Sequence, residues 1–236
     1  MRMIGRVRSS GSRRAAGRTL SFAALGLLVF AAVTLALMGS TVAAERKSQA
    51  LFNGRNLDGW EHVGPGRFLV RDGLLQTEGG MGLLWYTREK IGRARLRVVF
   101  KMEGKEPDSG VFIRVPEKPT EPWMPVKRGY EVEIGDWPSD YSCTGVLYTF
   151  TKALARPLKP LGEWNAMEIT MNGPKTVVFL NGVKVTDFTE GQPVPEKPAG
   201  SEDPDRRPRP DSGYIGLQNH PGGKVYFKEV SLTPLD

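Results

Sequence analysis

The chain is poor in the residues that carry metal and thiol chemistry: one cysteine, Cys143, and two histidines, His62 and His220, in 236 residues. A single cysteine excludes an intrachain disulfide, so the fold must hold through its core alone. Two histidines without a His-Glu-x-x-His spacing withhold support from zinc catalysis. There is no Gly-x-Ser-x-Gly elbow, no glycine-rich phosphate loop ahead of a helix, and no repeat of fixed period. Acids are also missing from the first 44 positions, which hold six arginines (Arg2, Arg6, Arg8, Arg13, Arg14 and Arg18). Without that segment 27 basic residues face 26 acidic ones, leaving +1 of the total +7. The basic balance therefore belongs to the leader, and a nucleic-acid partner is not expected.

From Thr19 to Met38 the chain is uncharged and apolar, and Val42-Ala43-Ala44 follows. An arginine-rich start, an apolar middle and small residues at the end are the pattern of an export signal cleaved after Ala44. About 20 apolar residues are also enough to span a bilayer, so an uncleaved membrane anchor at 19–38 is the alternative. The expected location is periplasmic or extracellular. Residues 45–236 suit one domain with one substantial core.

That body reads as all-β. In 94–102, Ala94, Leu96, Val98, Phe100 and Met102 alternate with Arg95, Arg97 and Lys101, the pattern of a half-buried strand. Similar runs recur at 68–71, 74–78, 82–86, 110–115, 129–135, 145–149, 166–171, 176–180, 183–188, 214–218 and 224–233. Asp72-Gly73, Asn172-Gly173 and Asn181-Gly182 separate some of them, with residues that accept positive φ and suit tight hairpins. About a dozen strands without a convincing amphipathic helix predict a two-sheet antiparallel sandwich. Two segments interrupt it: 189–213, rich in proline and charge and expected to be an exposed loop, and the connection 116–128, which carries Trp123.

The most informative segment is Gly129-Tyr-Glu-Val-Glu-Ile-Gly-Asp136-Trp137. On a strand Tyr130, Val132 and Ile134 face one way and Glu131 and Glu133 the other, with Cβ atoms about 7 Å apart. Two close carboxyls repel, which separates their pKa values and can supply an acid and a base at one pH; ordinary surface acids on an exposed sheet face would show the same alternation. Arg114, in Asp108-Ser-Gly-Val-Phe-Ile-Arg114, alternates onto the face of Phe112 and would lie beside Glu131 or Glu133 if the two strands are neighbours. His220 ends a strand and suits a proton carrier near neutral pH. No cofactor is indicated. Calcium through the loop acids Asp108, Asp136 or Asp140 stays open, although no EF-hand spacing exists.

These segments carry a family resemblance. Leu51-Phe-Asn-Gly-Arg-Asn-Leu-Asp-Gly-Trp60, Asp108-Ser-Gly-Val-Phe-Ile-Arg114, Gly129-Tyr-Glu-Val-Glu-Ile-Gly-Asp136, Thr144-Gly-Val-Leu-Tyr148, Gly162-Glu-Trp-Asn165, Leu180-Asn-Gly-Val183 and Gly216-Leu-Gln-Asn-His220 occur in this order. Together, over about residues 51–235, the chain resembles the 3-keto-disaccharide hydrolase domain family. The resemblance implies a concanavalin-like jelly roll, a carbohydrate substrate, and glycosidic cleavage of 3-keto sugars. Asp108 stands where that family usually has asparagine and Glu133 where glutamine is frequent.

A 3-keto group acidifies the hydrogen on C2, so a base can remove it and the C1 substituent can leave by elimination before water adds. The expected division of labour is Glu131 or Glu133 as base, Arg114 as enolate stabiliser, and Asp136 or His220 as the acid at the leaving oxygen. Trp85, Trp123, Trp137, Tyr148 and Gln218 are the expected sugar-binding residues. Two other readings compete. One is a laminarinase-like retaining glycosidase built on Glu131, Glu133 and Asp136, whose reacting carboxyls would have to stand about 5–5.5 Å apart. The other is a non-catalytic carbohydrate-binding module in which Trp85, Trp123 and Trp137 stack on sugar.

Overall fold

The computed structural model describes residues 47–197 and 199–236; the leader expected at 1–44 lies outside the described residues. In chain order the elements are β1 (Gln49–Ala50), β2 (Trp60–Val63), β3 (Arg67–Arg71), β4 (Leu74–Glu78), β5 (Gly82–Tyr86), β6 (Ala94–Glu103) and β7 (Asp108–Val115). They continue with the short helix α1 (Met124–Arg128), then β8 (Tyr130–Gly135), β9 (Asn165–Asn172), β10 (Lys175–Leu180), β11 (Val183–Thr189), β12 (Tyr214–Asn219) and β13 (Lys224–Pro234). All strand pairs are antiparallel. An eight-stranded sheet runs β11-β10-β9-β6-β13-β4-β3, with β1 also beside β13, and a five-stranded sheet runs β2-β5-β12-β7-β8.

The alternation read from the sequence places the core. Leu96, Val98, Phe100 and Met102 of β6 and Met167, Ile169 and Met171 of β9 meet Val111, Ile113, Val132, Ile134 and Leu217 of the smaller sheet. Each such side chain contributes about 1.5–3 kcal/mol on burial. The hairpins form where glycine and asparagine supply positive φ: Asp72 and Gly73 turn β3 into β4 with φ of 51° and 77°, and Asn181 and Gly182 turn β10 into β11 with 51° and 81°. Outside the smaller sheet a second apolar cluster of Leu83, Trp85, Phe112 and Val115 seats α1 through Met124 and Val126. Among the described residues no helix is long and apolar enough to cross a membrane.

Three expectations need correction. Residues 145–149 are turns rather than a strand. They run along the outer edge of β8, with Glu133 N bonded to Val146 O and Tyr148 N to Glu131 O, but Gly145 and Thr149, at φ of 92° and 61°, break any regular ladder. Within this stretch Leu147 forms an isolated bridge with Val132. The 116–128 connection ends in α1, which Pro125 starts and Lys127 and Arg128 close, favourable positions for proline and for cations respectively. The 189–213 segment is no free loop: Pro204, Arg209 and Gly213 in it are buried.

Candidate functional site

β8 is the edge strand of the smaller sheet and carries Glu131 and Glu133 on the face away from the core. The register with β7 places Asp108 opposite Gly135, Gly110 opposite Glu133 and Phe112 opposite Glu131. Gly110 is needed there for a steric reason, because a Cβ at that position would sit 2.2 Å from Glu131 Oε1. Gly135 does the same for Trp137, whose indole nitrogen would lie 2.3 Å from a Cβ. The indole therefore folds back over the end of β8 as a wall.

The third acid arrives from β7 and the imidazole from β12. These strands pair Leu217 with Val111 and Gly216 with Phe112, so the residue just past β12 reaches the start of β7. His220 Nδ1 stands 3.2 Å from Asp108 Oδ2 and 3.0 Å from Pro221 O. Both neighbours are acceptors, so the ring proton belongs on Nδ1 and Nε2 is left to accept. Trp123, at the N-terminus of α1, meets His220 edge to face at 6.1 Å. Asp108, Glu131, Glu133 and His220, with Trp123, Val126, Trp137, Ser142, Tyr148 and Gln218, line a cavity of about 240 Å³.

Burial dominates the electrostatics. Glu131 and Glu133 are 6% and 3% exposed, and among the described residues no ion pair reaches either carboxyl and Glu133 Oε1 has no hydrogen-bond partner. Desolvation holds both acids well above the usual carboxylate range; the Asp108 charge pushes Glu131 further, and those of Glu131 and Asp108 do the same to Glu133. Asp108 is also raised by burial, with the charge of His220 opposing. Tyr148 is pushed up to about 12, first by burial and then by the charge of Asp203. Burial of this kind favours the protonated form of the acids, which can then donate a proton.

Of the residues expected at the site, Glu131, Glu133, His220, Trp123, Trp137, Tyr148 and Gln218 share this cavity. Arg114, Asp136 and Trp85 do not. Arg114 has φ of 55°, and β7 carries one residue more than β12 between the pairs Tyr214–Val115 and Gly216–Phe112. This bulge reverses the alternation: Val115 joins Phe112 on the outer face, and Arg114 turns inward. It is fully buried, donating to Gly173 O at 2.6 Å and Pro210 O at 3.0 Å. Asp136 opens onto a separate cavity of about 230 Å³ with Cys143, Arg156 and Lys159. Trp85 is 4% exposed and packs edge to face on Tyr214 at 5.1 Å. His62 lies on β2 against Phe68. Among the described residues no group of three or more His, Cys, Asp or Glu side chains is arranged to hold a metal ion: Asp108 faces His220, and Asp140 pairs with Lys152 and Arg156. The residue that sequence reasoning underrated is Asp108. Its signal was positional, the first residue of a strand paired with the one that His220 follows.

Residues 47–233 match the model of the 3-keto-alpha-glucoside-1,2-lyase-like domain. The chain belongs to this family. No curated protein matches it. Among solved structures, a predicted glycosyl hydrolase from Parabacteroides distasonis is 26% identical, with 84% of this chain and 98% of that one covered and a TM-score of 0.67. A second from the same organism is 27% identical over 80% of this chain and 100% of its own, with a TM-score of 0.65. A family 66 carbohydrate-binding module from Bacillus subtilis, 11% identical over 74% of this chain and 95% of its own with a TM-score of 0.52, shares the fold alone. In this lyase-like domain the two-sheet antiparallel sandwich expected from strand counting is the observed fold, and it is the jelly roll that the resemblance implies.

Proposed function

We propose that this domain cleaves the glycosidic bond of 3-keto glycosides by elimination in the cavity beside β8. The family and the two Parabacteroides structures support a glycosyl hydrolase-like or carbohydrate-binding jelly-roll domain. The observation that carries the finer reading is the pairing of two buried acids with an imidazole whose Nδ1 is held by Asp108.

The roles differ from those expected of the sequence, because burial favours the protonated form of both glutamates. His220 Nε2 takes the proton from C2, and Asp108 orients the ring and stabilises the imidazolium that forms. The electron pair of the broken C–H bond flows to the C3 oxygen as an enolate, which one neutral carboxyl stabilises by donating a hydrogen bond. Collapse of the enolate forms the C1–C2 double bond and expels the C1 oxygen, which takes a proton from the second carboxyl. The products are the enone and the free aglycone, and water adds to C1 afterwards.

The test is to incubate residues 45–236 with matched glucosides and their 3-keto counterparts, including one deuterated at C2. The expected outcome is aglycone release from the keto series only, with a primary isotope effect, and loss of at least 100-fold in kcat for His220→Asn and for Glu133→Gln, in line with the usual weight of general acid and base groups. Equal release from unoxidised glucosides, or full activity of both Glu131→Gln and Glu133→Gln, would sink the proposal. Trp123, 40% exposed at the rim, favours one other reading, a sugar-binding module; that reading is selected by saturable binding of a keto glycoside without turnover.

A further inference from the structure

The connection from β11 to β12, residues 190–213, is anchored beside two of the backbone segments that line the cavity, the α1–β8 junction and the turn that carries Tyr148. Arg209 is 7% exposed and forms no ion pair through its guanidinium among the described residues. It donates from Nε to Gly129 O at 2.9 Å, from Nη2 to Lys127 O at 3.0 Å and Asp205 O at 2.7 Å, and from Nη1 to Arg207 O. Its plane lies over Tyr130 at 5.3 Å and Phe150 at 5.6 Å. Gly129 and Tyr130 lead directly into Glu131, and Lys127 follows Val126, the part of α1 that faces the cavity. Arg206 reaches the other side: its Nη1 donates to Thr149 Oγ1 at 2.9 Å, beside Tyr148, and its guanidinium covers Phe150 at 4.7 Å. Tyr130 closes the set by donating to Glu190 Oε1 at 2.6 Å.

A guanidinium that spends its donors on backbone carbonyls of two elements fixes the distance between those elements. Here they are the strap itself, through Asp205 and Arg207, and the junction of α1 with β8, through Lys127 and Gly129. We propose that Arg209 is a positioning residue, the pin by which the 190–213 strap holds the junction that leads into the acid-bearing strand. This rests on the reading of the cavity as a site for sugar cleavage, but its physical consequence does not. With the pin removed, the start of β8 loosens, water reaches Glu131 and the cost of ionising it falls.

The experiment compares residues 45–236 with Arg209→Lys, Arg209→Met and the control Arg207→Ala, whose exposed side chain pairs with Asp205. Thermal unfolding first identifies the temperature at which each is folded. At that temperature two quantities are read: the titration of Glu131, followed by the carboxyl carbon of 13C-labelled glutamate, and kcat and KM on a 3-keto glucoside. For Arg209→Met the expected result is a Glu131 titration displaced downward by one pH unit or more and a kcat at least tenfold lower with KM within threefold. Arg209→Lys, able to reach one carbonyl but not both elements, should fall between, and the control should match the parent chain. A folded Arg209→Met with unchanged titration and kcat within twofold overturns the proposal. If the parent chain releases no aglycone, the functional reading fails, and the carboxyl titration alone decides on Arg209. If Arg209→Met does not fold, the same readings on Arg209→Lys decide, and values equal to the parent overturn it.

Discussion

Glu133→Gln is expected to make the protein more stable at neutral pH while removing its activity. In the folded chain Glu133 is 3% exposed and its Oε1 is unpartnered, and burial with two neighbouring acids holds its pKa well up. In the unfolded chain the same group ionises at about pH 4.3. Above that pH the folded state binds the extra proton, so stability falls as pH rises, and the fall ends only at the folded pKa. One proton of difference corresponds to about 1.4 kcal/mol per pH unit. Glu131 has its pKa raised in the same way, so the parent chain carries up to two such slopes and the variant one. Urea unfolding of both proteins between pH 4 and 8, followed by tryptophan fluorescence, should give similar stabilities at pH 4. A gap of about 1.4 kcal/mol per pH unit should then open in favour of the variant over the window in which Glu133 keeps its proton. Parallel stability profiles across the whole range would refute the reasoning, because they would mean that Glu133 ionises in the folded protein as readily as in the unfolded one.

Gly110→Ala brings a methyl group to 2.2 Å from Glu131 Oε1, and the displaced carboxyl should cost about 1–3 kcal/mol in overpacking, read as a lower midpoint in urea together with lost turnover. Asp108→Asn removes the charge facing His220 Nδ1 at 3.2 Å; turnover of a 3-keto glucoside should drop by a factor of about 10–100, less than a general acid or base itself contributes because Asp108 acts through the imidazole, with an unchanged melting temperature. Arg114→Met strands the carbonyls of Gly173 and Pro210, at roughly 1–3 kcal/mol for each acceptor left without a donor. Calorimetry should register that loss, while kcat per folded molecule stays within twofold because the side chain does not reach the cavity.

Much of the scaffold was legible because its determinants are local. The period-two runs of β6 and β9, and positive-φ residues at Asp72-Gly73 and Asn181-Gly182, depend on sterics and solvent transfer over a few neighbouring residues, and the structure has the strands and hairpins where those residues stand. The outward pair Glu131 and Glu133 followed from the same alternation. That alternation failed at Arg114, where a one-residue bulge against β12 turned the side chain to the other face, and at 145–149, where positive φ at Gly145 and Thr149 let a strand-like sequence cap an edge without joining it.

Long-range pairing decided the rest. Asp108 and His220 are 112 positions apart and meet only because β7 lies between β8 and β12. Composition marks 189–213 as solvated, yet its Arg209 is buried on Tyr130 and Phe150, since aromatic faces and carbonyls from distant segments offer a cation what water otherwise would. Residue types near one another along the chain set the strands, the turns and the place of the acids on β8. Which imidazole, which wall and how little water those acids meet was decided by tertiary structure, since desolvation is a property of everything packed around a group and no stretch of sequence contains it.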